Sequence, residues 1–354
     1  MPNASTSKKV LVAPLDWGLG HATRCIPVIT ELLDQGYGVQ IASSGGALVL
    51  LKEEFSFLKF HCIESYDVKY SGSLPFIIKI ALQIPKFLKA IQREHQQIKK
   101  IVHDEKIGLI ISDNRYGCWS KKTENIFICH QLTLKTSVFS SFTNFFHRRA
   151  IERFSECWVP DEEGKESLAG ELSVSPSLNL KYIGLLSRMK WELSQIQYDI
   201  LAIISGPEPQ RSALEEIVLT QLSNSSKRCL VVRGLPGDNQ RTIRGNLEII
   251  NHLNAQEMNR AILESAVIIS RSGYSTIMDL AMLGKRAIFI PTPGQVEQEY
   301  LAKELMRKKI AFSVKQDNFN LQQALSKLNE CKGFGRRNEN NKLRKAIENL
   351  DETN

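Results

Sequence analysis

The hydrophobic residues of this 354-residue chain fall into short runs that alternate with amphipathic, helix-like stretches. Runs that are apolar throughout, rather than at every second position, are typical of strands buried on both faces. Because helix-like stretches separate the runs, we predict a parallel sheet with helices on both faces. In the first half of the chain the predicted strands are Lys9 to Leu15, Gly38 to Ser44, Phe57 to Ile63, Ile107 to Asp113, Asn125 to Gln131 and Cys157 to Asp161.

The alternation stops across a polar stretch from Glu162 to Gln197, which we predict to be a linker between two halves, and starts again at Tyr198. We therefore predict an α/β chain of two doubly wound, Rossmann-like domains, the first at residues 1–190 and the second at 191–335. Residues 336–354 are expected to form a helix or tail that packs back on the first domain. Since ligands bind at the carboxyl ends of parallel strands, we expect the domains to face each other across a cleft lined by these loops.

The composition of the chain is typical of a globular protein. Hydrophobic residues make up 42% of the chain and charged residues 24%, as in globular proteins. The seven cysteines never stand in CxxC or CxxH spacing, which argues against a zinc site or a disulfide framework and favours a reducing cytosol. With neither a signal peptide nor a run of about 18 apolar residues, the protein is expected to be cytoplasmic and not to span a membrane.

The loop PLDWGLGHATRC, Pro14 to Cys25, joins the first predicted strand to the first helix. Gly18 and Gly20 let a ligand approach the backbone closely, and the helix N-terminus favours an anion or a polarised oxygen. The loop lacks the third glycine of a dinucleotide fingerprint and the lysine of a Walker loop. An imidazole can accept a proton at neutral pH, so His21 is the first candidate for a catalytic base and Asp113 the second. For both, capping of the following helix or turn is the alternative.

A second polar turn follows the predicted strand that ends at Ser270. N–H groups and hydroxyls at a helix start can form a nest for a diphosphate, and the candidate residues are Arg271, Ser272, Gly273, Tyr274, Ser275 and Thr276. Asp279 is placed to accept both hydroxyls of a ribose, and Gln298 and Glu299 to bond sugar hydroxyls at the next helix start. The alternatives are a carboxylate favoured by the helix dipole and an ordinary exposed helix start. Together these residues favour a nucleotide-sugar site.

The segments SRSGYSTIMDLAMLGK and PTPGQVEQEYLA resemble the donor-binding region of glycosyltransferase family 28, which includes the N-acetylglucosaminyltransferase of peptidoglycan synthesis. The two predicted domains resemble the GT-B fold of that family. The first loop, GLGHATR, is similar to the glycine-rich loop of family 28 and also to that of the UDP-sugar hydrolase of pseudaminic acid synthesis.

The resemblance implies roles for particular residues. Ser272 and Gly273 would lie beside the diphosphate, Asp279 would hold the ribose and Gln298 would contact the donor sugar. The segment around His252, Leu253 and Met258 would border the uracil. The segment ICHQLT resembles a histidine-containing segment near the acceptor, which places His130 and Gln131 on the acceptor side.

The sequence departs from the family in three places. The loop Ile204 to Arg211, with Ser205 and Gly206, takes the place of a glycine- and serine-rich loop, but Pro207 replaces a glycine and has no N–H group. We expect Arg211 to compensate by pairing with a phosphate. Glu299 stands where the family often has glutamine, and the acidic residue usually next to the acceptor-side histidine is Gln131.

The net positive charge of the chain favours binding to an acidic partner. The formal net charge is +8, and the segment Leu74 to Lys100 combines an apolar face with six lysines and arginines. A second cluster, from Phe139 to Arg149, adds four phenylalanines to two arginines. Such helices lie on anionic membrane surfaces or, alternatively, bury their apolar face in the domain core. Nucleic acid is not expected, because the basic residues lack a helix-turn-helix or RNP context.

These observations, together with the resemblance to family 28, predict an inverting transfer of a GlcNAc-like sugar from a UDP-sugar to a hydroxyl of a lipid-linked or glycan acceptor. No Asp-x-Asp pair occurs in the chain, so we predict an enzyme that needs neither a metal ion nor a cofactor. The protein would then be cytoplasmic, or peripheral on the inner face of the cell membrane. The alternatives are a UDP-sugar hydrolase of the pseudaminic acid type and a nucleotide-sugar-binding protein without turnover.

Overall fold

The computed structural model describes residues 8–66, 76–133, 140–235, 240–337 and 341–352, with the backbone alone at 76–84, 140–142 and 351–352. The strands within these residues are β1 (Lys9–Pro14), β2 (Gly38–Ser43), β3 (Lys59–Cys62), β4 (Leu109–Asp113), β5 (Glu124–Ile128), β6 (Glu156–Val159), β7 (Leu180–Tyr182), β8 (Tyr198–Ile203), β9 (Cys229–Val232), β10 (Arg241–Arg244), β11 (Leu247–Ile250), β12 (Ser265–Ser270), β13 (Arg286–Phe289) and β14 (Phe312–Ser313). The α-helices are α1 (Leu19–Asp34), α2 (Gly45–Glu54), α3 (Phe76–Glu105), α4 (Ser140–Ile151), α5 (Gln210–Ser223), α6 (Ala255–Leu263), α7 (Tyr274–Leu283), α8 (Val296–Arg307), α9 (Leu321–Leu328) and α10 (Asn341–Glu352).

The chain divides into two compact units. The described residues of the first unit fall within 1–163, 171–186 and 340–354, and those of the second within 164–170 and 187–339. The division therefore lies a few residues before the boundary predicted between 190 and 191. Residues 164–170, which were predicted for the first domain, belong to the second unit.

The first unit is built on a seven-stranded parallel sheet in the order β3-β2-β1-β4-β5-β6-β7. β4 is buried at every position and β1 at all but its first, as their uninterrupted apolar sequences predict. The strand order reverses between β1 and β4, so the connections that leave these two strands diverge to opposite sides. In open α/β sheets a ligand-binding crevice forms at this point, beyond the carboxyl ends of the strands.

The hydrophobic pattern does not predict one strand of this sheet, β7. β7 lies inside the polar stretch 162–197 that was predicted as a linker, and it pairs with β6 at the sheet edge. All three residues of β7 are only half-buried, because an edge strand needs no continuous apolar run. The linker prediction is wrong for these residues.

The second unit contains another seven-stranded sheet, in the order β10-β11-β9-β8-β12-β13-β14. All strand pairs are parallel except β10 with β11, which form an antiparallel hairpin at one edge. β10 is exposed at every position, which explains why it gives no apolar signal. The strand order reverses between β8 and β12, so the loops after these strands mark the crevice of this unit.

The last helix, α10, belongs to the first unit although it follows the second in sequence. It packs against α1, where Gln35 Nε2 donates to the carbonyl oxygen of Arg344 at 3.2 Å. Lys8 Nζ donates to the carbonyl oxygen of Leu350 at 3.3 Å. Residues 336–354 were predicted to pack back on the first domain. Among them, α10 belongs to the first unit, whereas Arg336 and Arg337 belong to the second.

Candidate functional site

In the first unit, the loop after β1 and the end of β4 lie side by side at the reversal of the sheet. Pro14 and Asp113 are paired in register. Gly18 is the N-cap of α1 and has a φ of 88°, a conformation that other residues rarely adopt. This tight turn starts α1 directly above the sheet, and the first turns of the helix carry His21 and Arg24 to the Asp113 carboxylate.

Four side chains form a cluster at this point. Arg24 binds the Asp113 carboxylate side-on, with Nε donating to Oδ2 at 2.7 Å and an NH2 group donating to Oδ1. His21 Nδ1 lies 3.2 Å from Asp113 Oδ1 and 2.7 Å from the NH2 nitrogen of Arg24. His130 Nδ1 lies 3.2 Å from the NH1 nitrogen of Arg24. Asp113 and Arg24 are buried, whereas the His21 side chain keeps 19% exposure, so His21 is the member of the cluster that a substrate can reach.

Burial and the ion pair between Arg24 and Asp113 determine the protonation states of His21 and Asp113. Burial, reinforced by the charge of Arg24, lowers the pKa of His21 below 6.5 in spite of the neighbouring Asp113. The ring is therefore neutral at pH 7. Burial alone would raise the pKa of Asp113, but the charge and hydrogen bonds of Arg24, with a contribution from His21, together outweigh it and hold this pKa well below its usual range. Asp113 is thus a permanent carboxylate and a poor proton acceptor.

A second buried arginine joins the other loops at the same edge. Arg115 Nε donates to the carbonyl oxygen of Pro14 at 2.9 Å, and its NH2 group donates to Ser44 Oγ at 2.7 Å. Its NH1 group donates to Oε1 of Glu94, a fully buried carboxylate on α3, at 2.7 Å. Glu94 also accepts from the Tyr66 hydroxyl at 2.5 Å. This network holds the ends of β1 to β4 in place, because every buried charge in it is paired.

The predicted acceptor-side residues follow β5. His130 is buried in the cluster described above, and Gln131 is half-buried. The carbonyl oxygen of Gln131 accepts from His147 Nε2 at 2.9 Å, and His147 Nδ1 accepts from the Tyr116 hydroxyl at 2.9 Å. His147 lies on α4, so this chain of hydrogen bonds fixes the segment after β5 to a neighbouring helix.

In the second unit, the loops after β8 and β12 meet in the same way. Ile203 and Ser270 are paired at the ends of the two strands. Gly206 is exposed and has a φ of 118°, which requires glycine. α7 begins at Tyr274 with Gly273 as N-cap and has no side-chain cap, so its N-terminus presents positive potential at this edge. Ser205 is exposed, and Ser275 and Thr276 are half-buried in the first turn of the helix.

Arg271 is buried at this edge, with 2% exposure. Its NH1 group donates to the carbonyl oxygens of Ile290 and Pro291, both at 3.1 Å, and its NH2 group to the carbonyl oxygen of Gln210 at 2.7 Å and to Gln316 Oε1 at 2.8 Å. All four acceptors are neutral. Among the residues that the structure describes, no carboxylate neutralises this guanidinium, and its Nε atom has no hydrogen-bond partner. Burial accordingly lowers the pKa of Arg271 from 12.5 to about 10. A buried cation without a counter-ion favours the binding of an anion.

Asp279 lies farther along α7 and is half-buried. Its Oδ1 atom accepts from Ser187 Oγ at 2.5 Å. Burial raises the pKa of Asp279 to about 6, against the opposing effects of the Ser187 hydrogen bond and the Arg188 charge. The carboxylate therefore lacks strong partners within the protein and retains the capacity to accept hydrogen bonds from hydroxyl groups.

The loop between β13 and α8 is joined to the start of α7. Ser272 Oγ donates to the carbonyl oxygen of Gln298 at 2.8 Å, and Gln298 Oε1 accepts from the Thr292 N–H at 2.9 Å. Glu299 Oε1 accepts from the Gly294 N–H at 3.1 Å. The structure thus brings together the two segments that the sequence assigned to the diphosphate and the donor sugar, and it gives Gln298 and Glu299 a part in shaping the loop.

Arg211 and the two residues predicted to border the base lie in different surroundings. Arg211 is bound by carboxylates, with Nε donating to Glu208 at 2.6 Å and NH1 to Glu215 at 2.5 Å. Its charge is therefore neutralised within the protein, which argues against the phosphate contact expected of it. Leu253 and Met258 follow β11 and are half-buried around the start of α6, where an apolar ring could contact them.

The basic segment Leu74 to Lys100 lies mostly on α3. Its first two residues and the side chains of 76–84 are outside the described residues. In the described part, Ala90 and Ile98 are buried while the lysines are exposed, as the core-packing alternative predicts. Leu88 is 55% exposed. In the second cluster, Phe139 and the side chain of Phe142 are not described, whereas Phe145 and Phe146 on α4 are 55% and 54% exposed.

Across the part of the chain that the structure describes, no helix is both long enough and apolar enough to cross a membrane. Within that part there is also no group of three or more histidine, cysteine, aspartate or glutamate side chains placed to hold a metal ion.

Several functional contacts were not found from the sequence. Arg24 follows His21 by one turn, and nothing in the spacing shows that it pairs with Asp113, 89 positions away. Ser187 lies in the stretch that was predicted as a linker. Glu94 stands among the basic residues of α3, and its position on the buried side of the helix was the one signal that could have revealed it.

Part of the chain matches a known protein family. Residues 212–352 match the glycosyltransferase family 28 C-terminal domain. Arg271, Asp279 and Gln298 lie inside the matched region, whereas Ser205 and Gly206 precede it.

Relatives and solved structures extend the similarity beyond the matched region. An uncharacterized glycosyltransferase of Methanosarcina mazei is 23% identical over 318 residues, which are 82% of this chain and 81% of the relative. A UDP-N-acetylglucosamine–N-acetylmuramyl-(pentapeptide) pyrophosphoryl-undecaprenol N-acetylglucosamine transferase of Methylobacterium radiotolerans is 36% identical over 69 residues, 19% of each chain. The crystal structure of Acinetobacter baumannii MurG aligns with a TM-score of 0.61 at 14% identity, over 98% of this chain and 99% of that one. The predicted α/β, GT-B fold and the resemblance to family 28 are confirmed, and glycosyltransferase activity is supported.

Proposed function

We propose that this protein transfers a sugar from a UDP-sugar donor to an acceptor hydroxyl with inversion at the anomeric carbon. The observation that carries the proposal is the unneutralised guanidinium of Arg271, which lies at the strand reversal of the second unit and inside the region that matches family 28. A diphosphate supplies the missing negative charge, and the N-terminus of α7 next to it adds N–H groups and positive potential.

The remaining donor contacts follow from the same edge of the sheet. Asp279 accepts the ribose hydroxyls, since its carboxylate is held by a single serine hydroxyl. Gln298 and Glu299 contact the sugar from the start of α8, while Leu253 and Met258 border the base. The short match to a transferase whose name specifies UDP-N-acetylglucosamine supports UDP as the nucleotide and a GlcNAc-like sugar.

The cluster in the first unit supplies the proton acceptor. In the proposed reaction His21 Nε2 takes the proton of the acceptor hydroxyl, the acceptor oxygen bonds to the anomeric carbon, and the bond from that carbon to the diphosphate breaks with its electron pair on UDP. Arg271 and the α7 N-terminus stabilise the charge on the departing UDP, and no metal ion is needed for it. Asp113 stabilises the imidazolium of His21, because its own charge is fixed by Arg24.

The acceptor is proposed to be lipid-linked or a glycan, and the protein to be cytoplasmic and peripheral at the membrane. Support comes from the pyrophosphoryl-undecaprenol named for the relative in Methylobacterium and from the exposed Leu88, Phe145 and Phe146 beside basic residues. In a sedimentation assay, liposomes containing anionic lipid should carry the protein down while neutral liposomes do not. Equal recovery in both pellets, or in neither, contradicts the membrane proposal.

Incubation with UDP-GlcNAc tests the reaction class. A transferase releases UDP rapidly only when an acceptor is present, whereas a hydrolase of the pseudaminic acid type releases it at the same rate in water alone. The confirmed similarity to glycosyltransferases favours transfer. Calorimetry with UDP tests the donor site separately, and Asp279→Ala should abolish most of the binding. If UDP does not bind, or binds equally well to the variant, the donor assignment is wrong.

A further inference from the structure

The Arg24 guanidinium contacts more groups than an ion pair with Asp113 requires. Its Nε and one NH2 hydrogen are taken by the carboxylate. The same NH2 nitrogen lies 2.7 Å from His21 Nδ1, and the NH1 nitrogen lies 3.2 Å from His130 Nδ1. A guanidinium has five N–H donors, no acceptor, and keeps its charge in proteins. In both contacts Arg24 is therefore the donor and the imidazole nitrogen is the acceptor.

The donor role of Arg24 fixes where each imidazole carries its proton. A neutral imidazole has one N–H donor and one acceptor nitrogen, so a ring that accepts at Nδ1 carries its proton on Nε2. For His21 there is a competing contact, because Nδ1 also lies 3.2 Å from Asp113 Oδ1 and would need a proton to donate to it. This contact is 0.5 Å longer than the one to Arg24, and the same oxygen already accepts from Arg24. The geometry favours the contact with Arg24.

We propose that Arg24 is a positioning residue that holds both His21 and His130 with the proton on Nε2 in the resting protein. In this state Nε2–H of His21 is a hydrogen-bond donor and cannot accept a proton. His21 becomes a base when its Nδ1 changes partner from Arg24 to Asp113. In this change Nε2 gives its proton to solvent water and Nδ1 takes a proton from solvent water, so the charge of the ring is unchanged. The consequence for catalysis rests on the proposed function, but the tautomer itself does not.

A third histidine provides an internal control. His147 Nε2 donates to the carbonyl oxygen of Gln131 at 2.9 Å, and its Nδ1 accepts from the Tyr116 hydroxyl at 2.9 Å. A carbonyl oxygen cannot donate, so His147 also carries its proton on Nε2. This tautomer depends on partners other than Arg24 and should not respond to a change there.

Nitrogen NMR of the full chain with 15N-labelled histidine tests the proposal, because long-range proton–nitrogen correlations distinguish the two neutral tautomers. The signals are assigned with His21→Gln, His130→Gln and His147→Gln, one at a time. We expect the Nε2–H pattern at all three positions in the unaltered protein at neutral pH. An Nδ1–H pattern at His21 in that spectrum would overturn the proposal without any variant of Arg24.

The variant Arg24→Lys provides a second test of the proposal. Lysine keeps a positive charge beside Asp113 but, as a single ammonium group, cannot donate to the carboxylate and both rings in one fixed geometry. We expect the His21 signal to change to Nδ1–H or to a mixture, while the His147 signal is unchanged and shows that the fold is kept. An unchanged His21 tautomer in a folded Arg24→Lys variant contradicts the proposal. UDP calorimetry on the unaltered protein decides the proposed function separately, because the tautomer spectra use no substrate.

Discussion

The charge of Arg271 gives the most quantitative prediction. The guanidinium is 2% exposed and all its described partners are neutral. Because one pKa unit corresponds to about 1.4 kcal/mol, the fall of the Arg271 pKa from 12.5 to about 10 places the cost of burying this charge at about 3 kcal/mol. A bound diphosphate offsets this cost. The substitution Arg271→Gln removes both the charge and the cost of burying it.

We expect Arg271→Gln to weaken UDP binding by about 10- to 100-fold, the range of about 1.5–3 kcal/mol that a hydrogen bond to a charged group contributes. Uridine lacks the diphosphate, so its affinity should stay nearly unchanged. Isothermal titration calorimetry with the two ligands measures the difference directly, and raising the salt concentration should weaken UDP binding more in the unaltered protein than in the variant.

Lys285→Gln is a matched control. Lys285 is also a partly buried cation held by carbonyl oxygens, those of Leu263 at 2.6 Å and Ser265 at 3.1 Å, and burial lowers its pKa too. It precedes β13, however, and so lies at the amino edge of the same sheet. The control should bind UDP normally. An equal loss of affinity for UDP and uridine in Arg271→Gln, or an equally large loss of UDP affinity in Lys285→Gln, would contradict a diphosphate contact by Arg271.

Three further predictions concern the other site residues. Asp279 loses its carboxylate form as the pH falls through about 6. The UDP affinity, measured by calorimetry, should therefore decrease from pH 7 to pH 5 more steeply in the unaltered protein than in Asp279→Asn. Parallel curves of affinity against pH would contradict the ribose contact. Asp113→Asn leaves the Arg24 charge buried and unpaired. Denaturant unfolding should therefore show a loss of about 3–5 kcal/mol in the free energy of unfolding. A loss below about 1 kcal/mol would show that the pair is better hydrated than its burial indicates. His21→Gln should lower turnover at least about 100-fold with unchanged UDP affinity, and near-normal turnover removes His21 as the base.

The sequence predicted the sheets and the loops that carry the candidate site because both depend on local patterns. Buried parallel strands need uninterrupted apolar runs, and the residues after them are free to be polar. Exposed or edge strands carry no such requirement, which is why β7 and β10 were not predicted.

Pairings between distant loops depend on strand order, which a hydrophobic pattern does not contain. β1 and β4 are neighbours in the sheet but are separated by almost a hundred residues, so the contact of Arg24 with Asp113 has no local signal. The same holds for Ser187 and Asp279. Asp113 illustrates the consequence, since it was predicted as a second candidate base and its arginine partner makes it a permanent anion.

The proposed transfer of sugar from a UDP-linked donor is tested most directly by mass spectrometry of UDP release and of sugar-containing products, with a panel of UDP-sugars and both lipid-linked and soluble hydroxyl acceptors. We expect that one UDP-sugar is consumed with formation of a glycosylated acceptor, that this requires His21, and that little UDP is released when the acceptor is omitted. Rapid acceptor-independent release of UDP and free sugar, or no turnover of any UDP-sugar by a protein that binds UDP, would contradict the proposed transfer.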